Sequence, residues 1–322
     1  MHTTLDLGIR LIVALQGLGT WPTVPMKFFS FLGTEDFFML ALPILYWCVD
    51  SALGIRVGVI LMFTTNVNGA LKLAFHGPRP YWYSSTVHGL ATETSFGVPS
   101  GHAQSAAVVW GLLAAALRKW WGWLVAILLI FLIGLSRLYL GVHFPHDVLL
   151  GWLIGGLILW LTLRFWDPLA AWAKKQSIGR QVAAAFLASL VVFLLPLIPF
   201  IWLKAINWQP PLAWASYATQ AFSLQDTATS AGTFFGMLAG VAWLARQGDF
   251  QTKSAWWKLV LRYLLGMAGV LIIRFGLKFI FPEGETALAY FYLYLRYSLI
   301  GFWVTGGAPW VFIRVKLAEK LN

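Results

Sequence analysis

Three short polar clusters interrupt an otherwise apolar chain. Lys72 stands ahead of the pair Arg79-Pro80, Pro99-Ser100-Gly101-His102 follows, and Ser136-Arg137 precedes His143 and Asp147. Together they bring cations, two histidines and a carboxylate, a set that suits a phosphate. A phosphoryl group carries charge on three equatorial oxygens during transfer, so a site built without metal needs fixed cations and N–H donors around it. Lys72, Arg79 and Arg137 supply the cations, the two arginines with the forked geometry that matches phosphate oxygens. Ser100 offers a hydroxyl. Gly101 lets backbone approach closely where the fourth span is expected to begin, and the N–H groups and dipole of that helix start favour an anion.

The histidines divide the remaining work. Imidazole can attack phosphorus and can also shuttle a proton near neutral pH. His143 has Asp147 four residues on, and a carboxylate that accepts from one ring nitrogen fixes the tautomer and leaves the other nitrogen free to attack. His143 is therefore the expected nucleophile, and His102 the proton donor to the leaving alcohol. A metal at His143 and His146 is the weaker reading, because Pro145 breaks their spacing and no Cys or acidic cluster completes a ligand set. We expect neither metal nor cofactor.

The elements that carry these residues must be membrane helices. The chain of 322 residues is 59% hydrophobic and 11% charged, against about 25% charged in soluble domains, and its mean hydropathy is +0.73. The 19 tryptophans suit bilayer interfaces and helix packing. A net charge of +11 could draw nucleic acid, but in such a chain it reflects cytoplasmic loops, and no nucleic-acid partner is expected. The single cysteine, Cys48, excludes a disulfide framework and a Cys-based zinc site. Asp6 ahead of the first apolar stretch, with no basic leader, makes that stretch a retained span. Spans of about 20 apolar residues are expected near 5–20, 36–50, 52–75, 101–117, 120–140, 146–165, 181–203, 228–246, 256–280 and 287–313, with an interfacial helix within 207–227. The fold class is all-α, a polytopic membrane helical bundle.

Alternating the loops across the membrane puts Lys27, Lys72, Arg79, Arg137, Lys204, Arg274, Lys278 and Arg296 on one side and the larger share of Lys and Arg on the other. By the positive-inside rule the richer side is cytoplasmic and holds both termini. All three polar clusters then face outward, toward periplasm or lumen. The polar stretch DPLAAWAKKQSIGR, 167–180, is the clearest break and sets a boundary between a six-span core, 1–168, and a four-span region, 169–322. GALKLAFHGPRP is faintly echoed by FGLKFIFPEGE, but without the Arg-Pro pair or the histidines, and chance likeness of apolar helices accounts for it.

KLAFHGPRP, PSGH and SRLYLGVHFPHD match the three signature motifs of the type 2 phosphatidic acid phosphatase superfamily, with every signature position filled. The chain resembles that superfamily over residues 1 to about 166. The resemblance implies a six-helix core and a phosphohistidine on His143. It also implies His102 as acid, Asp147 as orienter, and Lys72, Arg79, Ser100, Gly101 and Arg137 as phosphate ligands, all without metal. LGTEDFF ahead of the second span, with about ten spans in all, looks like the sphingosine-1-phosphate phosphatase branch, while TETSFG ahead of PSGH points to no substrate.

Other polar residues take plainer readings. His76, His88 and Glu93 are expected to be solvated loop residues; Tyr81, Trp82 and Tyr83 are expected to be interfacial anchors. Gly151, Gly155 and Gly156 permit close helix packing. Arg274, Lys278 and Arg296 lie inside spans, where charge is costly and commonly functional, with pairing of Lys278 to Glu283 or Glu285 as the structural alternative.

The expectation is an integral membrane phosphatase acting on a lipid phosphomonoester or diphosphate at the outer face of a membrane, a bacterial inner (plasma) membrane being the expected one. Its partners are the lipid phosphate substrate and membrane lipids. A lipid phosphotransferase using the same site is the alternative, and a non-enzymatic transporter or scaffold a more distant one. A vanadate haloperoxidase, which shares the superfamily, does not suit the hydropathy. Phosphatidate, undecaprenyl or dolichyl diphosphate and sphingoid phosphates all fit such a bed of cations, and the oligomeric state stays open.

Overall fold

The computed structural model describes residues 2–321, with side chains from Thr4 onward. In lipid the backbone must satisfy its own hydrogen bonds, and helices do so within each segment. The helices are α1 (His2–Gln16), α2 (Thr23–Phe31), α3 (Glu35–Ile44), α4 (Ser51–Phe75), α5 (Pro80–Tyr83), α6 (Gly101–Leu117) and α7 (Trp120–Tyr139). They continue as α8 (Pro145–Lys174), α9 (Ile178–Ala205), α10 (Ala215–Ala221), α11 (Gln225–Gln247), α12 (Trp256–Lys278), α13 (Ala287–Phe302) and α14 (Ala308–Arg314). Among the described residues the only β pairing is one isolated bridge, Phe250 with Lys320.

Each of the ten expected spans coincides with a helical stretch. Six stretches are long and apolar enough to cross a membrane alone, and α2 with α3 and its π-turn continuation form a further pair bent by 54°. The chain is thus an all-α, multi-pass membrane protein. One local expectation fails: the polar run from Asp167 is not a linker, because α8 continues to Lys174 through Pro168. Arg56 pairs with Asp167 and lies over the Trp166 ring, which neutralises that helical turn. The interfacial segment within 207–227 is a 3₁₀ turn, Leu212–Trp214, leading into α10.

Two compact units emerge, each drawn from three stretches of chain. The first comprises the chain up to Phe38, Val67–Leu161 and Pro196–Ser223; the second comprises Met39–Asn66, Thr162–Leu195 and the chain from Leu224 onward. In the first, α8 approaches α6 so closely that a Cβ at Gly151 would stand 2.6 Å from the Ser100 carbonyl, while Gly156 faces open space. Small residues allow that approach, and it brings the start of α8 against the start of α6. In the second, Trp47, Phe250 and Phe312 are fully buried together with Tyr46 and Met267. Arg262, also fully buried there, donates to the carbonyls of Leu317, Trp47 and Thr252.

Candidate active site

Every candidate site residue lies in the first unit. Lys72 sits in the last turn of α4, Arg79 immediately precedes α5, Ser100 caps α6, Arg137 lies in the last turn of α7, and Asp147 lies in the first turn of α8. Helix ends are where backbone groups lack intrahelical partners, so the site is built from termini rather than from helix faces.

Arg79 is fully buried, yet it is held on several sides. Its Nε donates to the Ser95 carbonyl at 2.7 Å, Nη1 to the Val142 carbonyl at 3.0 Å, and Nη2 to Ser95 Oγ at 3.1 Å and the Phe96 carbonyl at 3.2 Å. Its Nη1 also lies 3.2 Å from Nε2 of His143. Lys72 Nζ donates to the same Ser95 hydroxyl at 2.6 Å. One serine thus tethers two of the three expected cations.

His143 is 1% exposed and Asp147 fully buried. Nδ1 of His143 lies 3.3 Å from Asp147 Oδ2, which also accepts from the Phe144 N–H at 2.8 Å. An arginine donor on one side and a carboxylate on the other define the tautomer: Nδ1 carries the proton toward Asp147, and Nε2 keeps its lone pair toward the cations. Burial pushes the His143 pKa well down, and Arg79, Arg137, Lys72 and His102 push it in the same direction. Both effects favour the neutral ring, the form in which Nε2 carries a lone pair.

Local backbone aims this pair. Gly141 follows α7 at φ +72, a left-handed conformation in which a side chain is strained, and a Cβ there would also meet the His88 carbonyl. The turn sends Val142 and His143 back beneath Arg137, whose carbonyl accepts from the Val142 N–H at 3.2 Å. Asp147 closes the arrangement through its main chain, accepting from the Ser100 N–H at 3.0 Å.

His102 stands in the first turn of α6, half-buried, and its Nε2 makes no hydrogen bond among the described residues. The buried Ser100 hydroxyl caps α6, accepting from the Ala103 N–H at 3.4 Å, and its O–H remains a donor. A Cβ at Gly101 would stand 3.0 Å from Asn68 Oδ1, and Asn68 in turn donates to Gln104 at 2.9 Å and to the Pro99 carbonyl at 3.3 Å. That network braces the PSGH turn.

The largest departure from the sequence reading is Glu93. Instead of lying in solvent, its carboxylate pairs with Arg137 and reaches Arg79 at 3.5 Å, with 19% of the side chain exposed. Burial pushes its pKa up, but Arg137, Arg79, His102 and Lys72 together pull it well below the usual carboxylate range. Arg137 also donates to Ser30 of α2, an element with no motif. The loop that carries Glu93 is pinned by its backbone: Leu90 N–H donates to the Leu140 carbonyl at 3.0 Å, and Gly97 N–H to the Gly77 carbonyl at 2.9 Å. Acidic Glu93 in a short stretch between two cationic motifs was the available signal.

Trp82 is likewise not an interfacial anchor. It is buried, stacks on Tyr217 at 5.5 Å and Trp214 at 6.0 Å, and takes the Arg79 guanidinium over its ring at 5.9 Å. Trp208 packs edge-on against Phe96 and His76. The aromatic wall behind Arg79 therefore comes from 208–217.

These features define a multi-pass helical membrane protein whose first unit gathers two histidines, a carboxylate and three cations around helix ends. Residues 53–170 match the PAP2 superfamily, and residues 228–320 match the transmembrane extension of PAP2 superfamily phosphatases. The chain belongs to the PAP2 superfamily. It is similar to glucose-6-phosphatase 3 of Bos taurus, 31% identical over 186 residues, covering 50% of this chain and 54% of that protein. It is also similar to a probable sphingosine-1-phosphate phosphatase of Dictyostelium discoideum, at 31% over 52% of this chain and 45% of that one. Phosphatidylglycerophosphatase B of Bacillus subtilis is 34% identical over 36% of this chain and 61% of its own length. The chain thus spans about half the length of the curated relatives it matches.

Proposed function

We propose that this protein is an integral membrane phosphatase that removes phosphate from a lipid phosphomonoester or diphosphate by way of a phosphohistidine on His143. One observation carries the reading: the His143 ring is held between Asp147 on Nδ1 and Arg79 on Nε2, so the Nε2 lone pair faces the cations and becomes free to attack once Arg79 turns to the phosphate. The names of the similar proteins, all phosphatases, support the reaction class.

In the proposed first step Nε2 attacks phosphorus, the P–N bond forms as the P–O bond to the leaving group breaks, and His102 gives a proton to the departing oxygen. Arg79, Arg137, Lys72 and the N–H groups at Gly101 bear the charge that builds on the equatorial oxygens. In the second step water, deprotonated by His102, attacks phosphorus and the P–N bond breaks. The cycle releases inorganic phosphate and restores both histidines. Asp147 stabilises the imidazolium character that His143 gains between the two steps. No metal is needed in this scheme.

Glu93 has a part in it as the resident anion of the cradle. Its carboxylate oxygens engage Arg137 and Arg79, the groups a phosphate requires, so it must withdraw when substrate enters. The catalytic region is 1–168, extended by the aromatic wall from 208–217, and 169–322 forms the remainder of the membrane region. The site opens to the periplasmic or luminal side, with both termini cytoplasmic, as the distribution of Lys and Arg supports. A bacterial inner membrane is the setting we propose.

The test is phosphate release from a panel of lipid phosphates by purified protein in detergent. His143→Ala should abolish release while the protein remains folded, and wild-type protein quenched in alkaline detergent, where a P–N bond survives, should carry phosphate on His143. Full turnover by that variant refutes the mechanism.

A further inference from the structure

A second cationic site lies wholly within the second unit. The C-terminal end of α12, the connection that follows it and the first half of α13 enclose a cavity of about 390 Å³ lined by Arg274, Lys278, Glu283, Arg296 and Tyr297, with Gln225 at its edge. That volume falls in the range of roughly 300–1,000 Å³ common for small-ligand sites. Three cations face it against one lining carboxylate.

The arginines there are not satisfied as structural arginines usually are. Arg262 of the same unit spends its guanidinium on three backbone carbonyls. Arg274, by contrast, donates to the sulfur of Met39 at 3.1 Å, a weak acceptor. Arg296 keeps a buried Nε with no hydrogen bond among the described residues. Neither arginine forms an ion pair among the described residues. Lys278 has Glu283 at 3.5 Å, but both side chains are more than half exposed, at 56% and 59%, so that pair is weak. The neighbouring acid, Glu285, is occupied by Gln225 at 2.6 Å and by Tyr290.

Two arginines inside membrane helices without an acidic partner, converging on a cavity, call for an anion that the chain does not supply. Arginine forks select planar or tetrahedral oxyanions. Snorkelling alone would send the side chains to separate points of the interface instead of around one cavity. We infer that Arg274, Arg296 and Lys278 form a second, non-catalytic phosphate-binding site, whose ligand is an anionic phospholipid headgroup or free phosphate. No histidine lies among its lining residues, so the site lacks a nucleophile of the kind proposed for the catalytic centre and binds the anion without turning it over.

The experiment measures binding to full-length protein in neutral detergent, with phosphatidylglycerol, phosphatidylcholine and inorganic phosphate as separate probes. Comparison is made between wild type and Arg274→Gln/Arg296→Gln. The wild type should retain phosphatidylglycerol saturably, the double variant should bind it at least tenfold more weakly, and phosphatidylcholine should distinguish neither. If inorganic phosphate shows the same dependence on the arginines, free phosphate is the ligand; if only the lipid does, the headgroup is. Equal binding of both anions by wild type and variant overturns the site. Lys278→Gln, at an exposed position, is a second test that leaves packing intact, with at least threefold weaker binding expected and unchanged binding counting against the proposal. Since binding is the readout, failure of the phosphatase reading leaves this result interpretable.

Discussion

Replacing Glu93 by glutamine removes one charge without changing the shape of the side chain, and it tests whether the carboxylate competes with phosphate. Glu93 engages Arg137 and Arg79. A hydrogen bond to a charged group contributes about 1.5–3 kcal/mol, and a neutral amide gives about half the strength of a charged partner. Losing the charge at two arginines should lower the cost of opening the cradle by about 1.5–3 kcal/mol. That corresponds to roughly 10- to 150-fold tighter inhibition by phosphate or vanadate. The same change leaves two buried cations without their counter-ion, so thermal stability should fall while anion affinity rises. The assay is the inhibition constant of each anion in wild type, Glu93→Gln and Glu93→Asp, with melting temperatures measured alongside. If Glu93→Gln binds phosphate and vanadate more weakly than wild type, the carboxylate serves to orient the arginines and the competition argument is refuted.

Asp147→Asn keeps the volume beside His143 but no longer holds the ring as Nδ1–H, so kcat should drop by at least about 100-fold with little change in KM; a change confined to KM would show that Asp147 serves only the fold. The pH profile of kcat/KM, with the substrate's own ionisation divided out, should fall less between pH 6.5 and 5.5 than the roughly fivefold that an ordinary histidine nucleophile would lose. The sign follows from the depressed pKa of buried His143: the folded protein holds this proton less tightly than the unfolded chain. Its contribution to stability is therefore complete above about pH 6.5 and is lost as the pH falls below that value, as a melting-temperature series would show. Trp82→Ala removes a buried ring stacked on Trp214 and Tyr217 and should cost about 3–5 kcal/mol of stability; a loss under about 1 kcal/mol would mean that the aromatic wall is not a packed support.

Some of this site is readable from the chain alone and some is not, and the difference is physical. Lys72, Arg79, His102, Arg137, His143 and Asp147 stand out because ionisable groups are rare in membrane spans and their spacing has a chemical meaning. The same rarity exposes Arg274, Lys278 and Arg296. Span positions are legible because 20-residue apolar runs leave few alternatives, although α8 runs on to Lys174, into the polar stretch 167–180 that was expected to end it. Ser30 and Ser95 act through tertiary contacts that no local pattern marks, and Glu93 is marked only by its place between two cationic motifs. Ser100 is a subtler case, since the hydroxyl of a serine before a helix can accept from the helix and still donate to a ligand, and only the structure shows the first of these. Trp82 was misread because a tryptophan near a helix end reads as an anchor unless its stacking partners, more than 130 residues away, are known.

The discontinuous make-up of the site-bearing unit bears on how the protein is made. Its stretches end at Ser223, well beyond the last candidate site residue, Asp147. Synthesis proceeds from the N-terminus and domains fold as units. All the chemistry-bearing side chains are therefore in the bilayer before the rings that back Arg79 have left the ribosome. During that interval Trp82 lacks Trp214 and Tyr217, and the guanidinium above it lacks its rigid floor. The nascent chain thus holds the whole set of candidate site residues before their aromatic support exists, and on the proposed function competence arrives late, with the turn at 212–221, as a single closing event of biogenesis.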